Sequence, residues 1–150
     1  MSDIATLVAK DQVSTCIHDL FIGTDRRDWS LVRGCFTESV AFDMTSVAGG
    51  EPQRLTPAQI TDGWETGLQP LEQVHHQVGN LQISIDGTRA TAFCYGIALH
   101  YRTTREGNNV RRFVGTYDFG LEYQTGLWRI SALRFNLKFI DGNRELESTQ

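Results

Sequence analysis

The first third of the chain carries apolar residues at helical spacing. Five of them follow the i, i+3, i+4, i+7, i+8 pattern of a helix with one buried face: Val13, Cys16, Ile17, Leu20 and Phe21. Continuing this stripe brings Asp25, in the segment "GTDRRDW", onto the same side of the helix. An unpaired carboxylate is costly to bury, so Asp25 is either a surface residue at a helix end or a paired group at the mouth of a pocket.

Two shorter helices and a strand are predicted next. Asp28 fits the N-cap of a second helix, whose apolar face comprises Leu31, Val32, Cys35 and Phe36. The segment "VAFDMTS" then alternates and predicts a first strand with three residues on one face: Val40, Phe42 and Met44. Thr56 and Gln59 form a capping box around Pro57 and begin a third helix, with an apolar stripe of Ile60, Trp64 and Leu68.

From His75 onward the chain alternates at the strand period of two. Four long strands are predicted, separated by turns at Asp86-Gly87, "REGNN" and "QTG": "HHQVGNLQISI", "RATAFCYGIALHYR", "VRRFVGTYDFGLEY" and "LWRISALRFNLKFI". Helices followed by such a meander predict an α+β fold. We expect a cone-shaped, curved and mostly antiparallel sheet packed against three N-terminal helices. Four glycines inside the strands suit the bulges or bends that curvature requires: Gly79, Gly96, Gly115 and Gly120.

His100 ends a row of small residues on one face of its strand, which leaves room for a ligand beside the sheet. The row consists of Ala90, Ala92, Cys94, Gly96 and Ala98. His75 and His76 are adjacent, so on a strand they point to opposite faces. Extrapolating backwards from Leu81 favours His75 as the inward residue, whereas a bulge at Gly79 favours His76, and periodicity does not choose between them.

The composition predicts one ordered domain over residues 1–150 and argues against some classes of partner. Apolar residues make up 40% of the chain, charged residues make up 21%, and the net charge is −4. This charge argues against nucleic acid and anionic membranes, because both require a basic face. The arginine pairs at 26–27 and 111–112 are interpreted as solvated surface. No signal peptide is predicted, and no segment approaches the ~18 apolar residues of a membrane span.

Cysteine and histidine spacing gives no sign of a bound group. Cys16, Cys35 and Cys94 each lie in an apolar pattern, which is typical of reduced core residues in a cytoplasmic protein. The histidines lack the HxH or HExxH spacing of a zinc site. The chain also lacks GxGxxG, P-loop and GxSxG motifs. We therefore expect neither a metal nor a cofactor.

Nearly the whole chain resembles the SnoaL-like branch of the nuclear transport factor 2-like superfamily. The resemblance rests on four segments: "IGTDRRDW", "CFTESVAFDMT", "HHQVGNLQISIDGTRATAFCYGIALHYR" and "GTYDFGLEYQTGLWRIS". The site pattern is similar to that of scytalone dehydratase and lindane dehydrochlorinase, and both resemblances match Asp25 and His76 to catalytic residues. The first also matches His100 to a strand histidine, although that family's two tyrosines correspond to Thr24 and Met44 here. The resemblance thus favours His76 over His75, together with a bulge near Gly79.

These matches imply a lyase or isomerase that uses no cofactor, with dehydratase- or elimination-type acid–base chemistry on a hydrophobic small molecule. Asp25 would orient His76 as general base, and His100 would be a second acid–base or polarising group. Six residues are candidate pocket walls that bind substrate: Trp29, Met44, Trp64, Tyr95, Tyr117 and Phe135. The alternative is a non-catalytic domain that binds a small ligand or serves as a subunit, for example one like the small subunit of a ring-hydroxylating oxygenase.

A homodimer or higher homo-oligomer is also expected. The last strand carries apolar residues on two predicted faces, with Leu133, Phe135, Leu137 and Phe139 opposite Trp128, Ile130 and Ala132. One face can fill the core, and the other then requires a partner surface. SnoaL-like proteins commonly pair through this side of the sheet, so the resemblance implies the same arrangement.

Overall fold

The computed structural model describes residues 3–149 and has the expected α+β architecture. The elements in chain order are α1 (Asp3–Asp25), α2 (Trp29–Gly34), β1 (Phe36–Asp43), α3 (Thr45–Ala48), β2 (Gln53–Leu55), α4 (Pro57–Leu68), β3 (Gln73–Asp86), β4 (Arg89–Tyr101), β5 (Val110–Gln124) and β6 (Leu127–Gly142). The strands form one sheet in the order β2-β1-β6-β5-β4-β3. Only the β1–β6 pairing is parallel among the described strands, so the expectation of a mostly antiparallel sheet is confirmed.

Helix α1 lies against the inner face of the sheet. Its predicted stripe is buried as expected, with Val13 and Ile17 fully inaccessible to solvent. The predicted caps of the other helices also form. The Asp28 carboxylate accepts a hydrogen bond from the Leu31 N–H at the start of α2. At the start of α4, Thr56 and Gln59 exchange the two hydrogen bonds of a capping box.

The segment after α2 differs from the sequence prediction. Strand β1 begins at Phe36 and ends at Asp43, so Phe36 belongs to the strand rather than to the second helix. Met44 then precedes the short helix α3 instead of continuing the strand. The physical reason is local, because the Asp43 carboxylate accepts hydrogen bonds from the Thr45 N–H (3.0 Å) and hydroxyl (2.6 Å). These bonds turn the backbone out of the extended conformation.

A bulge interrupts β3 where the glycine suggested one. Gly79 pairs with Tyr95 and Gln82 pairs with Phe93, so β3 contains one residue more than β4 between these pairs. Asn80 adopts a positive φ of 54° within the bulge. The extra residue reverses the inward–outward alternation. His76 therefore lies on the same face as the apolar row that follows the bulge, and His75 is exposed.

A second irregularity corrects the predicted faces of β6. Leu121 pairs with Ile130 and Gly120 pairs with Ala132, which leaves Ser131 as an extra residue. The bulge puts residues from both predicted rows on one buried face: Trp128, Ile130, Leu133 and Phe135. The expectation that these residues lie on opposite faces is wrong, because one inserted residue shifts every later side chain to the other face.

The three cysteines are free and buried, in agreement with their apolar sequence context. Within residues 3–149, no helix combines the length and the hydropathy needed to cross a membrane.

Candidate active site

A cavity of about 160 Å³ lies between the helices and the inner face of the sheet. Most of its walls are apolar. The lining residues are Leu20, Phe21, Thr24, Met44, Val47, Trp64, Leu68, His76, Ala98, His100, Phe113, Tyr117, Leu133 and Phe135. An apolar cavity of roughly 150 Å³ is large enough to bind benzene. The space therefore suits a ligand with one ring, and its polar groups are few and specifically placed.

Asp25 and His76 form a two-point contact at this cavity. The His76 Nδ1 atom lies 2.7 Å from Asp25 Oδ1, and the His76 backbone N–H donates to Asp25 Oδ2 at 2.8 Å. The carboxylate can only accept, so Nδ1 carries the proton of this hydrogen bond. His76 lines the cavity, whereas Asp25 is not among the lining residues and lies behind the imidazole. The two side chains are 14% and 19% exposed, respectively.

The position of Asp25 follows from the way in which α1 ends. Arg27 adopts a positive φ of 57°, its N–H bonds the Thr24 carbonyl, and the Asp28 N–H bonds the Gly23 carbonyl. This is the hydrogen-bond pattern of a Schellman motif, which fixes the last helical turn and the exit of the chain. Asp25 is thus the last residue of a rigid helix, on the stripe that faces the sheet.

The loop after α1 is also tied to the beginning of β3. The Arg27 guanidinium donates to the carbonyl of Leu71 at 2.6 Å. Leu71 is almost fully buried and lies shortly before the strand that carries His76. This tie connects the elements that carry Asp25 and His76, so their contact does not depend on the two side chains alone.

His100 belongs to a separate polar cluster at the same cavity. Its Nδ1 atom lies 2.9 Å from Arg111 Nη2. Arg111 also pairs with Glu147 through both guanidinium amino groups, and the contact between Nη1 and Oε2 measures 2.8 Å. Burial, followed by the positive charge of Arg111, lowers the pKa of His100 to about 4. His100 is therefore a neutral imidazole at pH 7.

Tyr117 supplies a further polar atom to the lining. Its side chain is 7% exposed and its ring packs against Phe21, Phe119 and Phe135. Among the described residues, the Tyr117 hydroxyl has no hydrogen-bond partner. Burial raises the pKa of Tyr117, so the phenol stays protonated and remains a potential donor.

The structure places the predicted site residues in three groups. His76, His100 and four of the predicted walls line the cavity: Met44, Trp64, Tyr117 and Phe135. Asp25 reaches the cavity only through His76. Trp29 packs against the core at the start of α2 and does not line the cavity.

Tyr95 is a correction, because it does not lie on the cavity side of the sheet. It lies on the outer face, is 47% exposed, and has Lys138 Nζ 4.5 Å from its ring centroid. Its odd position in β4 places it opposite the inward row of small residues. That row also leaves less space than expected. Ala90, Ala92 and Cys94 belong to the core cluster that contains α1, and Tyr117 occupies the space above Gly96.

Sequence reasoning missed Arg111 and Glu147. The arginine pair at 111–112 was interpreted as solvated surface, yet the Arg111 side chain is only 11% exposed. The available signal was strand alternation, since Arg111 and Phe113 occupy the same face of β5. Glu147 gave no comparable signal, because it lies in a terminal turn outside any periodic segment.

Comparison with known proteins identifies the family. The model of the SnoaL-like domain matches residues 5–134. A comparison with curated proteins gives no match. Among solved structures, the Kfla4162 protein from Kribbella flavida superimposes with a TM-score of 0.90 at 19% identity, over 96% of this chain and 99% of that chain.

Two further structures share the fold. Hexachlorocyclohexane dehydrochlorinase LinA-type3 from Novosphingobium barchaimii has a TM-score of 0.80 at 16% identity, with 95% of each chain covered. A candidate scytalone dehydratase from Novosphingobium aromaticivorans has a TM-score of 0.80 at 14% identity, over 95% of this chain and 93% of that chain. These identities establish similarity of fold alone. Because the family model spans most of the sequence, the chain belongs to the SnoaL-like domain family.

Proposed function

We propose that the protein is a lyase or isomerase that uses no cofactor and removes a proton from carbon in a small, hydrophobic, cyclic substrate. The observation that carries this proposal is the two-point contact of Asp25 with His76 at an apolar cavity. A carboxylate on Nδ1 fixes the tautomer and leaves Nε2 as the basic nitrogen. Asp25 orients, His76 is the general base, and His100 is a second acid–base or polarising group.

The environment favours this chemistry over simple ligand retention. A cavity that binds only by shape needs no paired titratable groups, whereas this one places two imidazoles in an apolar lining. General acid–base catalysis typically contributes ~10²–10⁴-fold. In an elimination, His76 takes the proton from carbon, the C–H electron pair forms the double bond, and the leaving group departs from the neighbouring carbon. In an isomerisation, the proton returns to a different carbon of the same molecule.

Cavity size restricts the substrate class. The volume of about 160 Å³ fits one six-membered ring with small substituents. Steroid-like or polycyclic substrates would require displacement of the walls. Two solved structures of this fold are a dehydrochlorinase and a candidate dehydratase. Both names denote elimination reactions, which supports the proposed type of reaction without deciding it.

The alternative is a domain that binds a ring-sized ligand without transforming it. The alternative also includes a subunit role, which is favoured by the outer face of the sheet, where Ile97 and Phe139 are 42% and 52% exposed and form an apolar surface suited to a partner chain. This alternative predicts that exchanging Asp25 for asparagine leaves every measurable property of a bound ligand unchanged.

The test uses exchange and elimination probes rather than one assumed substrate. The protein is incubated in D2O with cyclohexanone, 3-hydroxycyclohexanone and 3-chlorocyclohexanone, and NMR follows deuterium at the α-carbon and formation of cyclohexenone. We expect the protein to accelerate deuterium exchange or cyclohexenone formation above the rate in buffer. The substitution His76→Gln should lower this rate by ~10²-fold or more. Asp25→Asn should lower turnover far more than binding, because the carboxylate matters most when the imidazole takes up a proton.

His75→Gln is the matched control, because this neighbouring histidine is exposed on the opposite face of β3. It should retain the wild-type rates. Binding of the probes without exchange or elimination in any of them, with identical affinities in Asp25→Asn, would refute the catalytic proposal in favour of the binding domain.

A further inference from the structure

Arg111 uses its guanidinium group to join His100 to the end of the chain. Its Nη2 atom contacts both His100 Nδ1, at 2.9 Å, and Glu147 Oε1. Its Nη1 atom donates to Glu147 Oε2, and the ring of Phe113 lies 5.2 Å from the guanidinium carbon. A two-point pairing with a carboxylate and stacking on an aromatic ring hold a guanidinium plane in one orientation.

This orientation determines the tautomer of His100. A guanidinium has only donors, so the imidazole nitrogen that faces it must accept. Nδ1 of His100 is therefore unprotonated, and the single proton of the neutral ring lies on Nε2. His100 lines the cavity, and Nε2 has no hydrogen-bond partner among residues 3–149. The cavity thus contains an N–H donor on His100 and a basic nitrogen on His76.

The terminal turn that carries Glu147 is anchored firmly. Leu146 is fully buried in a small cluster with Leu71 and Val74. The guanidinium of Arg102 donates to the carbonyls of Leu146, Glu147 and Thr149, at 2.8 to 2.9 Å. Hence the Glu147 carboxylate has a defined position, and the hydrogen bonds from Arg111 lower its pKa so that it stays ionised.

We infer that Arg111 and Glu147 are positioning residues that keep His100 as a neutral Nε2–H donor. The site then selects substrates in which a hydrogen-bond-accepting oxygen lies beside the carbon that loses its proton. The substrate part of this inference rests on the proposed function. A donor aimed at a carbonyl oxygen stabilises the negative charge that develops there when His76 removes the neighbouring proton. His100 then polarises the substrate and does not act as a second base.

Charge at the site is consistent with this role. The charged groups that influence His100 are Arg111, Glu147, His76 and Asp25. Burial and the Arg111 charge disfavour the imidazolium, whereas the two carboxylates favour it. Burial and the Arg111 charge prevail, which lowers the pKa of His100 and keeps its ring neutral at pH 7.

The tautomer can be measured on the free protein by long-range ¹H–¹⁵N NMR with ¹⁵N-labelled histidine. His100→Gln assigns the signals. We expect the wild type to show one Nε2–H tautomer at pH 7, with a titration midpoint well below that of an exposed histidine. Arg111→Met should produce a tautomer mixture and shift the midpoint upward. Arg112→Met is the matched control, because Arg112 pairs with Asp141 on the exposed face.

Selection for oxygen is tested by binding cyclohexanone and methylenecyclohexane, which have the same shape but differ in the acceptor. We expect the wild type to prefer the ketone, and Arg111→Met to reduce that preference about 5–10-fold, the effect of one hydrogen bond. A wild-type Nδ1–H tautomer, a charged His100 at pH 7, or an unchanged preference in Arg111→Met would each overturn the inference. The NMR result needs no turnover, so failure of the proposed catalysis would be recognised separately.

Discussion

Asp25 shows how the geometry of a helix end positions a single side chain. It lies on the buried stripe of α1, and the Schellman motif fixes the turn that carries it. The surface-residue interpretation would leave this carboxylate in solvent. Instead, both of its oxygens accept hydrogen bonds from His76. Burial of a carboxylate without a partner would be unfavourable, so the pairing with His76 explains how Asp25 can lie at this position.

Tyr117 gives a prediction at the same scale. Its hydroxyl lacks a hydrogen-bond partner among the described residues, so Tyr117→Phe should leave the free energy of unfolding unchanged or raise it by up to about 1 kcal/mol. If the hydroxyl contacts an oxygen of the substrate, the same change lowers kcat/KM for the ketone probes by roughly tenfold. Urea unfolding and the exchange assay measure the two effects. A clear loss of stability would contradict the unpartnered hydroxyl.

At the scale of elements, β4 and β5 pack together where Gly96 of β4 lies beneath the ring of Tyr117 of β5. A Cβ at position 96 would lie 2.3 Å from the Tyr117 ring, between Ala98 and Cys94 in the row of small residues. Gly96→Ala should therefore displace the ring and lower the free energy of unfolding by about 1–3 kcal/mol. Thermal or urea unfolding measures the change.

Gly63→Ala is a suitable control for Gly96→Ala. Gly63 lies inside α4, and nothing lies within 4 Å of an added Cβ. Alanine there should stabilise the protein by about 0.5–1 kcal/mol, because it is the better helix former. Equal effects of the two substitutions would show that the space above Gly96 is not filled by Tyr117.

At the scale of the whole molecule, an apolar surface is exposed on the outer side of the sheet. Ile97 on β4, Val114 on β5 and Phe139 on β6 are neighbours across the paired strands. Ile97 and Phe139 are 42% and 52% exposed. We expect a homodimer through this surface. Phe139 belongs to one of the two β6 rows that the sequence pattern offered, whereas Trp128 and Ile130, from the other row, are buried in the core.

Sedimentation equilibrium tests the dimer. We expect twice the 16.9 kDa chain mass at micromolar concentration for the wild type, and a single-chain mass for Ile97→Lys. Leu127→Lys is the control, because Leu127 is 55% exposed at the β5–β6 turn, away from the surface formed by Ile97 and Phe139. A single-chain mass for the wild type would rule out this interface.

Local features could be predicted from the sequence because their causes lie within a few residues. The stripe of α1, the cap at Asp28 and the capping box at Thr56 depend on neighbours up to four positions away, and all three form as predicted. The bulge at Gly79 was also anticipated, with resemblance to the family deciding for His76 as the inward histidine. The end of β1 was misjudged because the Asp43 side chain competes with the strand for the backbone.

The sequence by itself determined the fold class, the long helices and strands and the side of α1 on which Asp25 lies, but it missed the short elements α3 and β2. Tertiary structure alone decided which polar groups meet. His100, Arg111 and Glu147 are joined by hydrogen bonds across 11 and 36 residues of sequence. The extra residue Ser131 in β6 brings Trp128, Ile130, Leu133 and Phe135 onto one buried face. Periodicity contains no information about such distant contacts, because it records only which face of an element is buried and not what is packed against that face.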